Sequence, residues 1–177
     1  MNLPNKLSIL RVLCIPVIVV LLYVGGDTCR YIAAGVFILG SLTDLADGHI
    51  ARKYNLITDF GKFIDPVADK LLVLTTLVML VRSGHMEAWV LVLILCRELA
   101  VDGLRMVAVG QGKVIAAGPW GKWKTTFQMV TVCVILLTNT PCFAAWYTAI
   151  LTGISVALTV WSAVDYFMKN KSVFAGN

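Results

Sequence analysis

The residues best suited to chemistry gather in two short stretches. The first holds Asp44, Asp47, Gly48, Ala51 and Arg52, and the second holds Gly61, Asp65 and Asp69. Asp44 and Asp47 are three apart and share a helix face, which Gly48 and Ala51 extend. Gly61, Asp65 and Asp69 step by four and share a face of a following helix. If the two helices are adjacent and antiparallel, four carboxylates converge. Their mutual repulsion in a low-dielectric setting is large, so the site needs cations. Carboxylate oxygens without Cys or His ligands suit Mg²⁺ or Mn²⁺. A pair of such ions clamps a phosphoryl group and stabilises the attacking and leaving oxygens. Gly48, Ala51 and Gly61 leave room for a flat group such as a nucleotide against the helix backbone. Arg52 suits a phosphate. The competing readings are solvated helix ends for the carboxylates and helix–helix packing for the small residues. Pro66 requires the second helix to start near Phe63 or to kink there.

The elements that position these residues are hydrophobic. Of the 177 residues, 59% are hydrophobic and 14% charged, against about 25% charged in a soluble domain. The mean hydropathy is +0.84. Six apolar segments run over Leu7–Gly25, Tyr31–Ala51, Phe63–Val81, Ala88–Val109, Thr125–Thr138 and Phe143–Met168. Most approach the ~20 residues a helix needs to cross hydrocarbon, and the fifth reaches that length by starting near Pro119. Backbone groups in lipid must be bonded internally, so helices are expected. The fold expected is an all-α integral membrane protein, a six-transmembrane-helix bundle forming one domain over residues 1–177. Lys6 and Arg11 lie at the start. Arg52, Lys53 and Lys62 lie in the second loop, Lys113, Lys122 and Lys124 in the fourth, and Lys169 and Lys171 at the end. This alternation puts both termini and the even loops in the cytoplasm.

Other features narrow the function classes. Arg11 interrupts the first apolar run and further spans follow, so the N-terminus reads as a retained span and not a signal peptide. The five cysteines are odd in number and form no CxxC pair. Cys14, Cys96 and Cys133 read as small apolar residues in helices. The basic residues form no patch on a soluble module, which argues against a nucleic-acid partner. His49 reads as an interfacial residue and His85 as a loop residue on the far side.

A second polar group follows. Glu98, Asp102 and Arg105 form one stripe on the fourth span, beside Arg97. An internal ion-pair network suits Glu98 and Asp102, while Arg105, nearer the cytoplasmic end, is placed to face a ligand. Lys124, Thr125 and Gln128 share a face of the fifth helix. Basic residues near an acidic metal site point to an acceptor that carries its own phosphate, with Arg105, Lys113, Lys122 and Lys124 as candidates. The competing reading is lysines that snorkel to lipid headgroups.

The first group resembles the signature of the CDP-alcohol phosphatidyltransferase family, D-x2-D-G-x2-A-R-x8-G-x3-D-x3-D. Asp44, Asp47, Gly48, Ala51, Arg52, Gly61, Asp65 and Asp69 match it without departure. The resemblance implies that Asp44, Asp47, Asp65 and Asp69 hold the metals, two Mg²⁺ or Mn²⁺ ions. It implies that Asp69 is also the base for the acceptor hydroxyl. Gly48, Ala51, Gly61 and Arg52 would bind CDP-diacylglycerol, and CMP would leave. The Leu3–Arg11 segment, Arg97-Glu98, and Gly121 to Thr125 with Gln128 are similar to the bacterial branch that uses sn-glycerol 3-phosphate. By that likeness Asn5 and Ser8 join the donor site, although the branch usually has Thr where Ser8 stands. The branch implies a bacterial inner-membrane enzyme with its active site facing the cytoplasm, and the family often forms homodimers.

Two other classes compete. The same chemistry with phosphatidylglycerol, inositol phosphate or serine fits the aspartates, although a neutral acceptor needs no Arg105, Lys122 or Lys124. A divalent-cation transporter fits intramembrane carboxylates. Here, however, they lie at one membrane side, and no polar stripe continues to the other.

Overall fold

The computed structural model describes the backbone of residues 3–54, 59–112, 115 and 118–171, and the side chains of residues 8–43, 64, 67–112, 115 and 118–171. The described chain is all-helical, with α1 (Leu3–Val24), α2 (Asp27–Tyr54), α3 (Asp59–Arg82), α4 (Ala88–Gly110), α5 (Pro119–Thr138) and α6 (Trp146–Lys169). Each apolar segment of the sequence becomes one helix. The fifth does begin at Pro119, where the missing N–H is one the first turn leaves unbonded anyway.

Several helices outrun their apolar segments at polar ends. The second starts at Asp27, not Tyr31, and its first turn is held by Arg30 Nη2 donating to Asp27 Oδ1 at 2.8 Å. An acidic residue there also complements the helix dipole. The third begins at Asp59, so Pro66 lies about two turns inside it and the expected start near Phe63 is not adopted. The sixth begins at Trp146, after a turn at residues 142–144 that displaces the expected start at Phe143. Thr148 Oγ1 accepts the N–H of Ala145 at 3.3 Å and lies 3.0 Å from the carbonyl of Pro141, closing that turn.

The chain forms two compact units, Met1–His85 with Val132–Thr140, and Met86–Thr131 with Pro141–Asn177. In the first, α1 packs along α2 and α3, and α2 meets α3. Ala33, Ala34, Phe37 and Leu72 are fully buried there. In the second, α4 packs along α6, and Val101, Leu104, Ala108 and Tyr166 form a core against Ile115 and Phe167. The buried face of α6 is a stripe of Thr148, Thr152, Ser155, Thr159, Ser162 and Tyr166. Small hydroxyl residues let helices approach closely and bond across the interface. Thr131 Oγ1 on α5 lies 2.9 Å from Ser155 Oγ. Among the described residues, Trp146–Lys169 is the helix long and apolar enough to cross a membrane, with a mean hydropathy of 1.6.

Candidate active site

The two halves of the aspartate motif lie on neighbouring helices of one unit. Asp44, Asp47, Gly48, Ala51 and Arg52 are on α2, and Gly61, Asp65 and Asp69 are on α3. The second helix ends at Tyr54 and the third starts at Asp59, so both halves share one end of the pair. The side chains of Asn5, Asp44, Asp47, Ala51, Arg52 and Asp65, and residues Gly48 and Gly61 beyond their helix positions, lie outside the described residues. Asp69 is described. It is half-buried, and its Oδ1 is shielded from solvent.

A close contact one turn away fixes how these helices meet. A Cβ at Gly40 would lie 3.0 Å from Leu72 Cδ2 and 3.9 Å from Arg11 Cγ. Glycine therefore eases the approach of α2 to Leu72 of α3 here. Gly40 precedes Asp44 by one turn, and Leu72 follows Asp69 by three residues, so the contact sets the register of the motif helices. The Gly40 carbonyl accepts Arg11 Nε at 3.3 Å and Thr43 Oγ1 at 2.7 Å. Arg11 and Ser8 on α1 are fully buried. Ser8 was expected at the donor site and lies in the same unit. Arg11, read from the sequence as a topology marker and as the charge that interrupts the first apolar run, is an interior residue of this unit. The signal for it was present, since a charge that interrupts an apolar run is a functional flag.

The donor chemistry fits a hard divalent cation, with four carboxylates on two helices and neither thiolate nor imidazole in the fixed positions of the motif. Among the described residues no three His, Cys, Asp or Glu converge, and of the four motif aspartates only Asp69 has a described side chain.

The basic residues belong to the second unit. Glu98 Oε1 accepts Lys124 Nζ, and it accepts Arg97 Nη1 at 3.0 Å. Arg97 Nε also donates to Ser162 Oγ at 3.2 Å. A Cβ at Gly121 would lie 3.4 Å from Arg97 Nη2, about ordinary contact distance. Glu98, Lys124 and Gln128 are buried. The ion-pair network expected of Glu98 is present, and it includes Lys124, which was expected only at the acceptor site. Glu98 thus ties a cation of its own helix to one of α5. Arg105 Nε donates to Tyr166 Oη at 3.1 Å, with its guanidinium 5.6 Å from that ring centre. Lys122 is exposed, and Lys113 lies outside the described residues.

Residues 1–161 match the model of the CDP-alcohol phosphatidyltransferase family. A Bacillus subtilis protein named CDP-diacylglycerol–glycerol-3-phosphate 3-phosphatidyltransferase is 40% identical, over 96% of this chain and 95% of its own length. A Rickettsia typhi protein of the same name is 38% identical, over 98% of this chain and 99% of its own. A Mycobacterium tuberculosis protein named probable phosphatidylglycerophosphate synthase is 38% identical, over 93% of this chain and 79% of its own.

Proposed function

Because the chain belongs to the CDP-alcohol phosphatidyltransferase family, we propose that it transfers the phosphatidyl group of CDP-diacylglycerol to sn-glycerol 3-phosphate. The products are phosphatidylglycerophosphate and CMP. The observation that carries this reading is the nearly full-length similarity to relatives named for that reaction.

In this reading Asp44, Asp47, Asp65 and Asp69 hold two Mg²⁺ or Mn²⁺ ions. Such ions, when bound, offset the charge of the diphosphate and of the phosphorus centre during transfer. Asp69 takes the proton of the acceptor hydroxyl. The freed oxygen bonds to the β-phosphorus, the bond from that phosphorus to the bridging oxygen breaks, and CMP leaves with the oxygen. Gly48, Ala51 and Gly61 admit the cytidine, while Arg52, Asn5 and Ser8 bind the rest of the donor head. Arg105, Lys113, Lys122 and Lys124 bind the acceptor phosphate, and the placing of Lys124 beside Arg97 on one carboxylate supports a cationic cluster there.

The chain works as one six-span domain over residues 1–177 of a bacterial inner membrane, as a homodimer. Both termini and the aspartates face the cytoplasm. The exposed Leu13, Val20, Leu39, Leu99 and Met106 support contact with lipid, and the distribution of Lys and Arg supports the orientation.

The test is CMP release by the purified chain supplied with CDP-diacylglycerol and Mg²⁺. Release with glycerol 3-phosphate, and not with phosphatidylglycerol, inositol phosphate or serine, is the expected result. Release with one of the others would keep the aspartate chemistry and discard the acceptor. No release with any acceptor would remove the enzyme reading.

A further inference from the structure

At the other end of the first unit, the α1–α2 turn and the ends of α3 and α5 surround a cavity of about 220 Å³. Its wall is apolar, with Leu22, Leu80 and Leu136. Its polar lining residues are Asp27, Arg30, Ser83, His85 and Asn139. Asp27, which opens α2 and also lines the cavity, is seventeen residues before Asp44, or about 25 Å along the helix. The cavity is therefore separate from the aspartate site.

Arg30 is its chemically demanding member. Its side chain is 12% exposed, and Nη2 donates to Asp27 Oδ1 at 2.8 Å. Nε and Nη1 are buried with no acceptor among the described residues. Buried guanidinium donors without acceptors are costly, and phosphate oxygens are their best match. The local charge agrees. Arg82 lies at the same end, 4.1 Å from the centre of the Tyr23 ring. Asp27 and Arg30 balance each other in the cavity lining, and Arg82, outside that lining, adds a positive charge at the same end of the unit. His85 is held in the lining by Asn139 Oδ1, 2.8 Å from Nε2.

The wall and the surroundings say what kind of phosphate fits. A free anion gains nothing from Leu22, Leu80 and Leu136, whereas a glycerol backbone and the first methylenes of an acyl chain do. A cavity of ~150 Å³ already holds a benzene, so the phosphate and glycerol of a lipid fit while the chains remain in the bilayer. Tyr23 and Tyr31 at this end are exposed, and tyrosines mark the headgroup level of a membrane.

We propose that this cavity is a second lipid site, taking the phosphate of an anionic glycerophospholipid at the membrane face opposite the catalytic aspartates. The proposal rests on the membrane placement above but not on the reaction. The test follows the thermal unfolding midpoint of the purified full chain as dioctanoyl phosphatidylglycerol is added. Dioctanoyl phosphatidylcholine and inorganic phosphate form parallel arms. Phosphatidylglycerol should raise the midpoint with concentration. Arg30→Gln should weaken its apparent affinity by roughly 10- to 100-fold while keeping CMP release. Leu22→Trp, which fills the cavity and leaves Arg30 in place, should weaken it as well and decides the matter if Arg30→Gln does not fold. A full response in both variants, or an equal one to phosphatidylcholine, overturns the proposal. So does a full response to inorganic phosphate alone. A response lost in Asp69→Asn and kept in Arg30→Gln would assign the lipid to the catalytic end and overturn it too. Since binding is read without turnover, a wild-type chain that binds but releases no CMP would sink the enzymatic reading and leave this one standing.

Discussion

Lys124 on α5 donates to Glu98 on α4, and the carboxylate oxygen that receives it also receives Arg97. Glu98 thus receives two cations, and the two halves of the pair are not equivalent. Glu98→Ala removes the carboxylate that two cations share, while Lys124→Met leaves Glu98 with Arg97. Removing one member of a buried pair costs about 3–5 kcal/mol. Glu98→Ala should fall in that range and Lys124→Met well below it. Thermal unfolding of the two variants and of the double variant measures both the asymmetry and the coupling. Equal losses would mean that Arg97 does not use Glu98 in solution.

The same pairing shapes the kinetics expected of Lys124→Ala. If Lys124 binds the acceptor phosphate, the variant should raise the KM for glycerol 3-phosphate about tenfold or more. The KM for CDP-diacylglycerol should barely move. Arg105→Lys should show the same selectivity in weaker form, because its charge is kept and its planar fork is lost. A change confined to the donor KM would move the acceptor site elsewhere.

Asp69→Asn keeps the shape of the side chain and removes its basicity. Donor binding should persist and turnover should fall by roughly 10² to 10⁴. A chelator should abolish CMP release in the wild type, and added Mg²⁺ should restore it, as a site of four carboxylates requires. Near-normal turnover in the variant would take the proton-accepting role away from Asp69.

Much of the architecture was legible in hydropathy alone, because each long apolar run had to satisfy its own backbone as a helix. Helix ends were less legible. Asp27 and Asp59 open α2 and α3 outside the apolar runs, where capping and dipole effects decide and hydropathy is silent. The motif residues could be placed on two helix faces from spacing. The roles of Arg11 and Lys124 could not, since a lone cation in a sequence reads equally as a topology marker, a ligand or half of an ion pair. Their partners, the Gly40 carbonyl and Glu98, are 29 and 26 positions away, and only packing brings them together.

Gly40 links packing to chemistry most directly. Its missing side chain lets Leu72 approach, and Leu72 is itself fully buried and has little room to give. Gly40→Ala places a methyl 3.0 Å from Leu72 Cδ2. Gly40→Val adds two further methyls and should cost ~1–3 kcal/mol by overpacking. The helices would be pushed apart one turn from Asp44 and Asp69, where misplacement of about 1 Å can cost 10²-fold in rate. Activity should therefore fall further than stability in Gly40→Val. Pairing it with Leu72→Ala, which opens space at the contact, should recover part of both losses. Measuring CMP release and unfolding midpoints for the two single variants and the double tests this. If Gly40→Val keeps full activity, the contact does not set the register of the aspartates.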